Sequence, residues 1–156
     1  MKETVKYVFY TGARTPFALQ LRTAKHLLPE IAMFQSYGQT EAMSIATLPP
    51  FDHFLSPDDK QKLLMTSVGR ILRPNDIRIV DDNGEVCAPG TEGEVEVRFD
   101  PKYTVLGYYR AAELTGDLIH DGWLRTGDKG IHVFAISISI TVLLSTPIPI
   151  LAVLFV

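Results

Sequence analysis

Residues 31–41 read IAMFQSYGQTE. The first seven, Ile31 to Tyr37, have the apolar and aromatic content of a strand, and the chain then reaches Gly38. Upstream, Ala18, Leu19, Leu21, Ala24, Leu27 and Leu28 recur at helical spacing and stop before Pro29. Thr15 reads as the N-cap of that helix, with Pro16 at its first position. Further back, TVKYVFY (4–10) is a second strand-like run, and Thr11-Gly12-Ala13 turns the chain out of it. Strand, helix and strand of these lengths predict a βαβ unit, with two parallel strands and a right-handed crossover.

Downstream, Ser56-Pro57-Asp58-Asp59 opens a second short helix, with Ser56 as cap and the acids facing the positive end of the helix dipole. After Gly69 the texture changes. IRIV (77–80), a DDNG turn (81–84), EVEVR (94–98) and YTVLGYY (103–109) predict short antiparallel strands, and Ala111–Thr115 one or two helical turns. The expected fold class is therefore α/β: a partial parallel core followed by a small β-rich subdomain, without an internal repeat.

The chain has 156 residues, the size of one ordinary domain. Its 46% hydrophobic and 21% charged residues make it globular rather than disordered. A net charge of −3 argues against a nucleic-acid partner or an anionic membrane surface. The single cysteine, Cys87, rules out an internal disulfide and a multi-cysteine zinc site, and is compatible with a reducing compartment. The opening MKETVKYVFY is no signal peptide, because Glu3 and Lys6 interrupt it. His26, His53, His120 and His132 stand at no metal-ligand spacing, and the acids of 81–85 depart from a calcium loop. No G-x-S-x-G elbow supports a serine nucleophile.

Two constellations carry chemistry. The first is Gln35-Ser36-Tyr37-Gly38-Gln39-Thr40-Glu41, which follows a strand. Ligands of open α/β sheets bind beyond the carboxyl ends of parallel strands. There Gly38 lets the backbone approach a ligand, Thr40 can bond a phosphate oxygen, Glu41 can hold Mg²⁺, and Tyr37 can stack on a base. The same residues also read as a capped turn, with Ser36 capping a helix and Gln39 closing the box. The second is Gly122-Trp123-Leu124-Arg125-Thr126-Gly127-Asp128. An aspartate on a tight turn can accept two hydroxyl hydrogen bonds, which suits a ribose diol. The competing reading is a hairpin with a buried tryptophan.

Together, the two resemble the signatures of the adenylate-forming superfamily: acyl- and aryl-CoA synthetases, luciferases and peptide-synthetase adenylation domains. Tyr37-Gly38-Gln39-Thr40-Glu41 is similar to its threonine–glutamate signature, and Gly122 to Asp128 to its aspartate signature. Between them, Ser67-Val68-Gly69-Arg70, the IRIVDDNGE hairpin, the run Pro89 to Arg98, and Gly107-Tyr108-Tyr109 keep the family's order and approximate spacing. Tyr10-Thr11-Gly12-Ala13 resembles its acyl-pocket turn. The resemblance covers about residues 4–130 and implies part of the family's large N-terminal domain. It implies ATP, Mg²⁺ and CoA as cofactors, a small-molecule carboxylic acid and a nucleotide as partners, and a cytoplasmic setting. The acid attacks the α-phosphate to give acyl-AMP and pyrophosphate, and a thiol then takes the acyl group. Thr40 is then the phosphate contact and Glu41 the Mg²⁺ contact, Tyr37 packs on adenine with Gly38 beside the nucleotide, Asp128 binds the ribose hydroxyls, and Gly12 and Ala13 border the adenine and acyl pocket.

The resemblance also sets limits. No Ser/Thr/Gly-rich phosphate loop is present, and no Lys or Arg follows Lys129. The family's hinge arginine and catalytic lysine therefore have no counterpart in these residues, and the chain reads as a piece of an acid–CoA ligase that is inactive alone. The alternatives are a non-enzymatic, membrane-tethered remnant and a fragment of a peptide-synthetase adenylation module. Residues 131–156 carry no formal charge, against 33 charged residues in 1–130. This apolar tail reads either as a membrane span, giving a membrane-associated protein, or as non-family sequence from a translated intron, a shifted frame or a premature end. Within it, Ala135–Thr141 alternates in the manner of a strand.

Overall fold

The computed structural model describes residues 5–12, 31–50, 67–133, 139–143 and 151–155. The expected helices over 16–28 and from Ser56, and Ala13, lie outside the described residues.

Two sheets make up the described fold. The first contains β1 (Tyr7–Thr11), β2 (Ala32–Gln39), β3 (Met43–Leu48), β4 (Arg70–Ile71) and, from the tail, β10 (Leu151–Phe155). Its spatial order is β10-β1-β2-β3-β4. As the βαβ reading requires, β1 and β2 are parallel, with Tyr7 opposite Ala32 and Tyr10 opposite Gln35. Burial alternates along β2 with period two, so Met33, Gln35 and Tyr37 share the inner face. Gln35 is tolerated there because its Oε1 accepts the Tyr10 hydroxyl at 3.3 Å. On the other face Phe9 stacks on Phe34 with ring centroids 4.6 Å apart.

The second sheet contains β5 (Ile77–Val80), β6 (Glu92–Arg98), β7 (Ile119–His120) and β8 (Trp123–Val133), in the order β5-β6-β8-β7, with β9 (Ser139–Leu143) also on β8. β5 and β6 are antiparallel, as expected. The DDNG turn forms because Asp81 Oδ1 accepts the Asn83 and Glu85 amides, both at 2.9 Å. Those amides, that of Glu85 foremost, hold the exposed Asp81 carboxyl below its ordinary range.

Four expectations change. The strand through Tyr37 continues to Gln39 and returns as β3, with Gln39 opposite Met43. The capped-helix reading of 36–39 is therefore not what forms: Ser36 Oγ instead meets Ser44 Oγ across the hairpin at 3.2 Å. YTVLGYY is not a strand. Asp100 gathers the amides of Tyr103 and Thr104 on its carbonyl, which curls the chain before any ladder starts, and Val105 N bonds to Glu41 O. Trp123 is not buried in a hairpin. It lies half-buried against two guanidiniums, with Arg78 and Arg98 each 4.4 Å from its ring centroid. The helical turn does form, as α1 (Ala112–Leu118), two turns long.

In the tail, β9 pairs with β8 and β10 with β1, both antiparallel. Position 130 falls inside the continuous strand β8. Among the described residues no helix is long and apolar enough to cross a membrane.

Among the described residues the sheets meet through an apolar cluster. Tyr37, Ala42, Ile45, Ala46 and Val68 come from the first side, and Val95, Val97 and Leu124 from the second. Leu124 is fully buried in it. Leu124→Ala should cost about 3 kcal/mol in urea unfolding, since it removes buried methyl groups and leaves a cavity. A loss under about 1 kcal/mol would show that the sheets do not pack through this residue.

Candidate functional site

The carboxyl ends of β1 and β2 lie side by side. Gly12, exposed with φ +93°, follows β1 two residues beyond the Tyr10–Gln35 pair, and Tyr37 stands two residues beyond it on β2. Immediately after Tyr37 the β2–β3 register shifts. This brings Gly38 against the returning strand so closely that a Cβ on it would lie 1.8 Å from Met43 O. Only glycine admits this approach. The hairpin then turns through Thr40, Glu41 and Ala42, closed by Ala42 N donating to Gln39 O at 3.2 Å. Thr40 is exposed at the apex.

Tyr37 and Asp128, 91 residues apart, are joined directly: the Tyr37 hydroxyl donates to Asp128 Oδ2 at 2.8 Å. Tyr37 is only 8% exposed, so most of its ring serves the core rather than a base. Burial, followed by the Asp128 charge, drives its phenol far above the usual tyrosine range. Asp128 does not sit on a tight turn. It sits on a bulge inside β8, where the pairing passes from Glu94–Lys129 to Glu96–Arg125 and the intervening β8 residues bow outward. Thr126 pins the bulge by donating from Oγ1 to Val95 O at 2.7 Å and accepting Asp128 N at 3.1 Å. Burial raises the Asp128 carboxyl above the ordinary carboxylate range, and the Tyr37 hydrogen bond opposes this.

Glu41 is held twice from the 105–108 segment. Its carbonyl accepts Val105 N at 2.8 Å, and its Oε1 accepts the Tyr108 hydroxyl at 2.7 Å. Gln39, Glu41, Tyr108, Arg125, Thr126 and Gly127 contribute to the wall of a hollow of about 370 Å³. Arg125 is fixed there by Glu94, with Nη2 2.6 Å from Oε2.

The two motifs therefore meet in two places, through the Tyr37–Asp128 bond and around the hollow. Tyr108 and Thr126 received no role from the sequence, although both lie within quoted motifs. Tyr108 stands 67 residues from Glu41, and no spacing rule links them. Among the described residues no group of three His, Cys, Asp or Glu side chains gathers for a metal. A lone carboxylate beside a threonine suits a hard dication that keeps its waters and phosphate oxygens, and does not suit an all-protein cage.

Comparison with known proteins gives one answer. The AMP-binding enzyme family matches residues 1–109. The chain is 36% identical over 106 residues to a long-chain-fatty-acid–CoA ligase of Yersinia pestis, covering 68% of the chain and 16% of that protein. It is 34% identical over 129 residues to a 2-succinylbenzoate–CoA ligase of Bacillus velezensis, covering 82% and 24%. Among solved structures, the amide bond synthetase McbA of Marinactinospora thermotolerans matches with a TM-score of 0.73 at 34% identity, covering 86% of this chain and 25% of that one. The O-succinylbenzoate coenzyme A synthetase of Bacillus subtilis in complex with AMP matches with a TM-score of 0.71 at 27% identity, covering 91% and 26%. The chain thus spans 16–24% of the length of these two curated relatives.

Proposed function

The chain belongs to the AMP-binding enzyme family, within the adenylate-forming superfamily, and on that premise we propose that it supplies the nucleotide-holding part of an ATP-dependent acid–CoA ligase. The observation that carries this reading is the 2.8 Å bond between Tyr37 and Asp128, which unites the two signature motifs. Asp128 Oδ1 and the remaining lone pair of Oδ2 accept the two ribose hydroxyls, while Tyr37 fixes the carboxylate's orientation. Tyr37, Gly38 and the exposed Gly12 flank the base and the acid, and the family resemblance assigns Ala13 to the same border. Thr40, at the hairpin apex, donates to a phosphate oxygen. Glu41 holds Mg²⁺, which neutralises phosphate charge when bound. The residues orient the carboxylic acid and the α-phosphate for in-line attack, and CoA is the thiol that takes the acyl group.

The 156 residues contain no phosphate loop and no Lys or Arg beyond Lys129. One missing transition-state donor costs about 10²–10³ in rate, so several missing together leave no useful turnover. The chain by itself is therefore expected to bind AMP and to give no detectable ATP–pyrophosphate exchange. Glu41→Gln should weaken ATP binding in magnesium about tenfold and leave AMP binding without metal within about twofold, by loss of one charged ligand. Calorimetric titration of both nucleotides tests this. Absence of AMP binding to the folded chain, or robust exchange by the pure chain, overturns the reading.

A further inference from the structure

We infer that Tyr108 and Thr115 are positioning residues that aim the Glu41 carboxylate, an inference that rests on the reading of Glu41 as the metal-holding acid. Glu41 sits in a three-residue turn between two strands, where a glutamate side chain has several free rotations and substantial entropy to lose on being fixed. Its main chain is anchored by Val105 N at 2.8 Å and its carboxylate by the Tyr108 hydroxyl at 2.7 Å. The same four-residue segment therefore fixes both the position of residue 41 and the direction in which its side chain points.

That segment has no ladder of its own, so something else must hold it. Thr115 of α1 does so. Its Oγ1 accepts Tyr108 N at 2.9 Å and donates to Ala111 O at 2.9 Å. Gly107 makes this closure sterically available: with φ +143°, a Cβ there would lie 2.6 Å from Thr115 Cγ2. The result is a relay from the helix through Thr115 to Tyr108 and on to Glu41. It needs the tyrosine's hydroxyl specifically. Tyr108 is 41% exposed and its neighbour Tyr109 is 85% exposed, so packing does not account for the hydroxyl of Tyr108. The bond to Glu41 raises the Tyr108 phenol above its ordinary value, chiefly because the phenol's proton is shared with the carboxylate.

The carboxylate keeps Oε2 and the second lone pair of Oε1 for other ligands, so being aimed by Tyr108 is compatible with holding a cation. Preorganised ligands lose less entropy on binding, which is the contribution assigned here to the relay.

The test uses the whole chain with the variants Tyr108→Phe, Thr115→Ala, Tyr109→Phe and Glu41→Gln. ¹³C-tyrosine NMR at one neutral pH reads the contact directly. One ζ-carbon resonance, lost in Tyr108→Phe, should shift in Glu41→Gln and keep its position in Tyr109→Phe. Binding reads the role. Tyr108→Phe should weaken ATP binding in magnesium about fivefold to tenfold and Thr115→Ala by about threefold, each leaving metal-free AMP binding within about twofold. Tyr109→Phe should change neither, and adding Tyr108→Phe to Glu41→Gln should cause no further loss. If Glu41→Gln weakens magnesium-dependent binding and Tyr108→Phe does not, the positioning inference is overturned while the reading of Glu41 stands. Equal loss of AMP and magnesium-dependent ATP binding in Tyr108→Phe marks a merely structural role and also overturns it. If Glu41→Gln itself changes nothing, the metal role fails and the positioning inference falls with it.

Discussion

Asp128→Ala should lower affinity for AMP about a hundredfold, because the ribose diol loses two hydrogen bonds to a charged acceptor at about 1.5 kcal/mol each. The same substitution removes the Asp128 acceptor of the Tyr37 hydroxyl, which is 8% exposed and bonded to Asp128 at 2.8 Å. Losing a buried hydrogen bond costs about 1 kcal/mol, so stability should fall as well. Asp128→Asn separates the two effects. It keeps an acceptor for Tyr37 and removes the charge, so affinity should fall about tenfold while the fold is spared.

The pH dependence has a definite sign. Burial places the folded-state pKa of Asp128 above its unfolded value. Between the two values the folded chain binds more protons, so this group's contribution is fully present below the unfolded pKa and is lost as pH rises through the folded one. In wild type, the urea midpoint should therefore decline on going from acid through the raised carboxylate range, as far as this group is concerned. Asp128→Asn should remove that component. Unchanged AMP affinity in Asp128→Ala would dismiss the ribose role. An unchanged pH profile in Asp128→Asn would dismiss the burial argument alone.

Gly38→Ala should destabilise the chain by about 4 kcal/mol or more, at the severe end of single substitutions. The colliding atom is a backbone carbonyl, Met43 O at 1.8 Å, and not the movable end of a side chain. Relief requires the β2–β3 hairpin to separate at its register shift, which moves Tyr37 and the 40–42 turn together. Gly84, where a new Cβ meets nothing within 4 Å, is the control for the general cost of adding a methyl group to a turn glycine, although its φ of +82° still carries strain. Gly84→Ala should cost about 1–2 kcal/mol by that strain alone. A Gly38→Ala chain as stable as Gly84→Ala would mean that the hairpin does not close as described.

The fold and the candidate motifs were legible wherever residue type and spacing act within a short span. Glu41 beside Thr40, and an aspartate after Thr126-Gly127, announce oxygen ligands in compact motifs, and the parallel pairing of β1 and β2 follows from strand, helix and strand lengths alone. Tyr108 was not legible as a partner of Glu41, because a hydrogen bond across 67 residues leaves no periodic trace. YTVLGYY misleads for a related reason. Its β-branched and aromatic content fits a strand, but propensity on a half-buried surface counts only if a partner edge is available. Asp100 curls the segment and Glu41 takes its Val105 amide, so no ladder starts.

The sequence by itself determined the family resemblance, the parallel opening, and the antiparallel β5–β6 pair with its Asp81 turn. These depend on local spacing, side-chain type and turn chemistry, all of which the chain carries residue by residue. Only the tertiary structure decided that Asp128 rides on a strand bulge instead of a turn, that Tyr37 gives its hydroxyl to it, that Tyr108 bonds Glu41, and that β9 and β10 of the apolar tail join β8 and β1. Each of these is a contact between distant segments, set by which sheet edges and buried donors remain to be satisfied once the two sheets have packed.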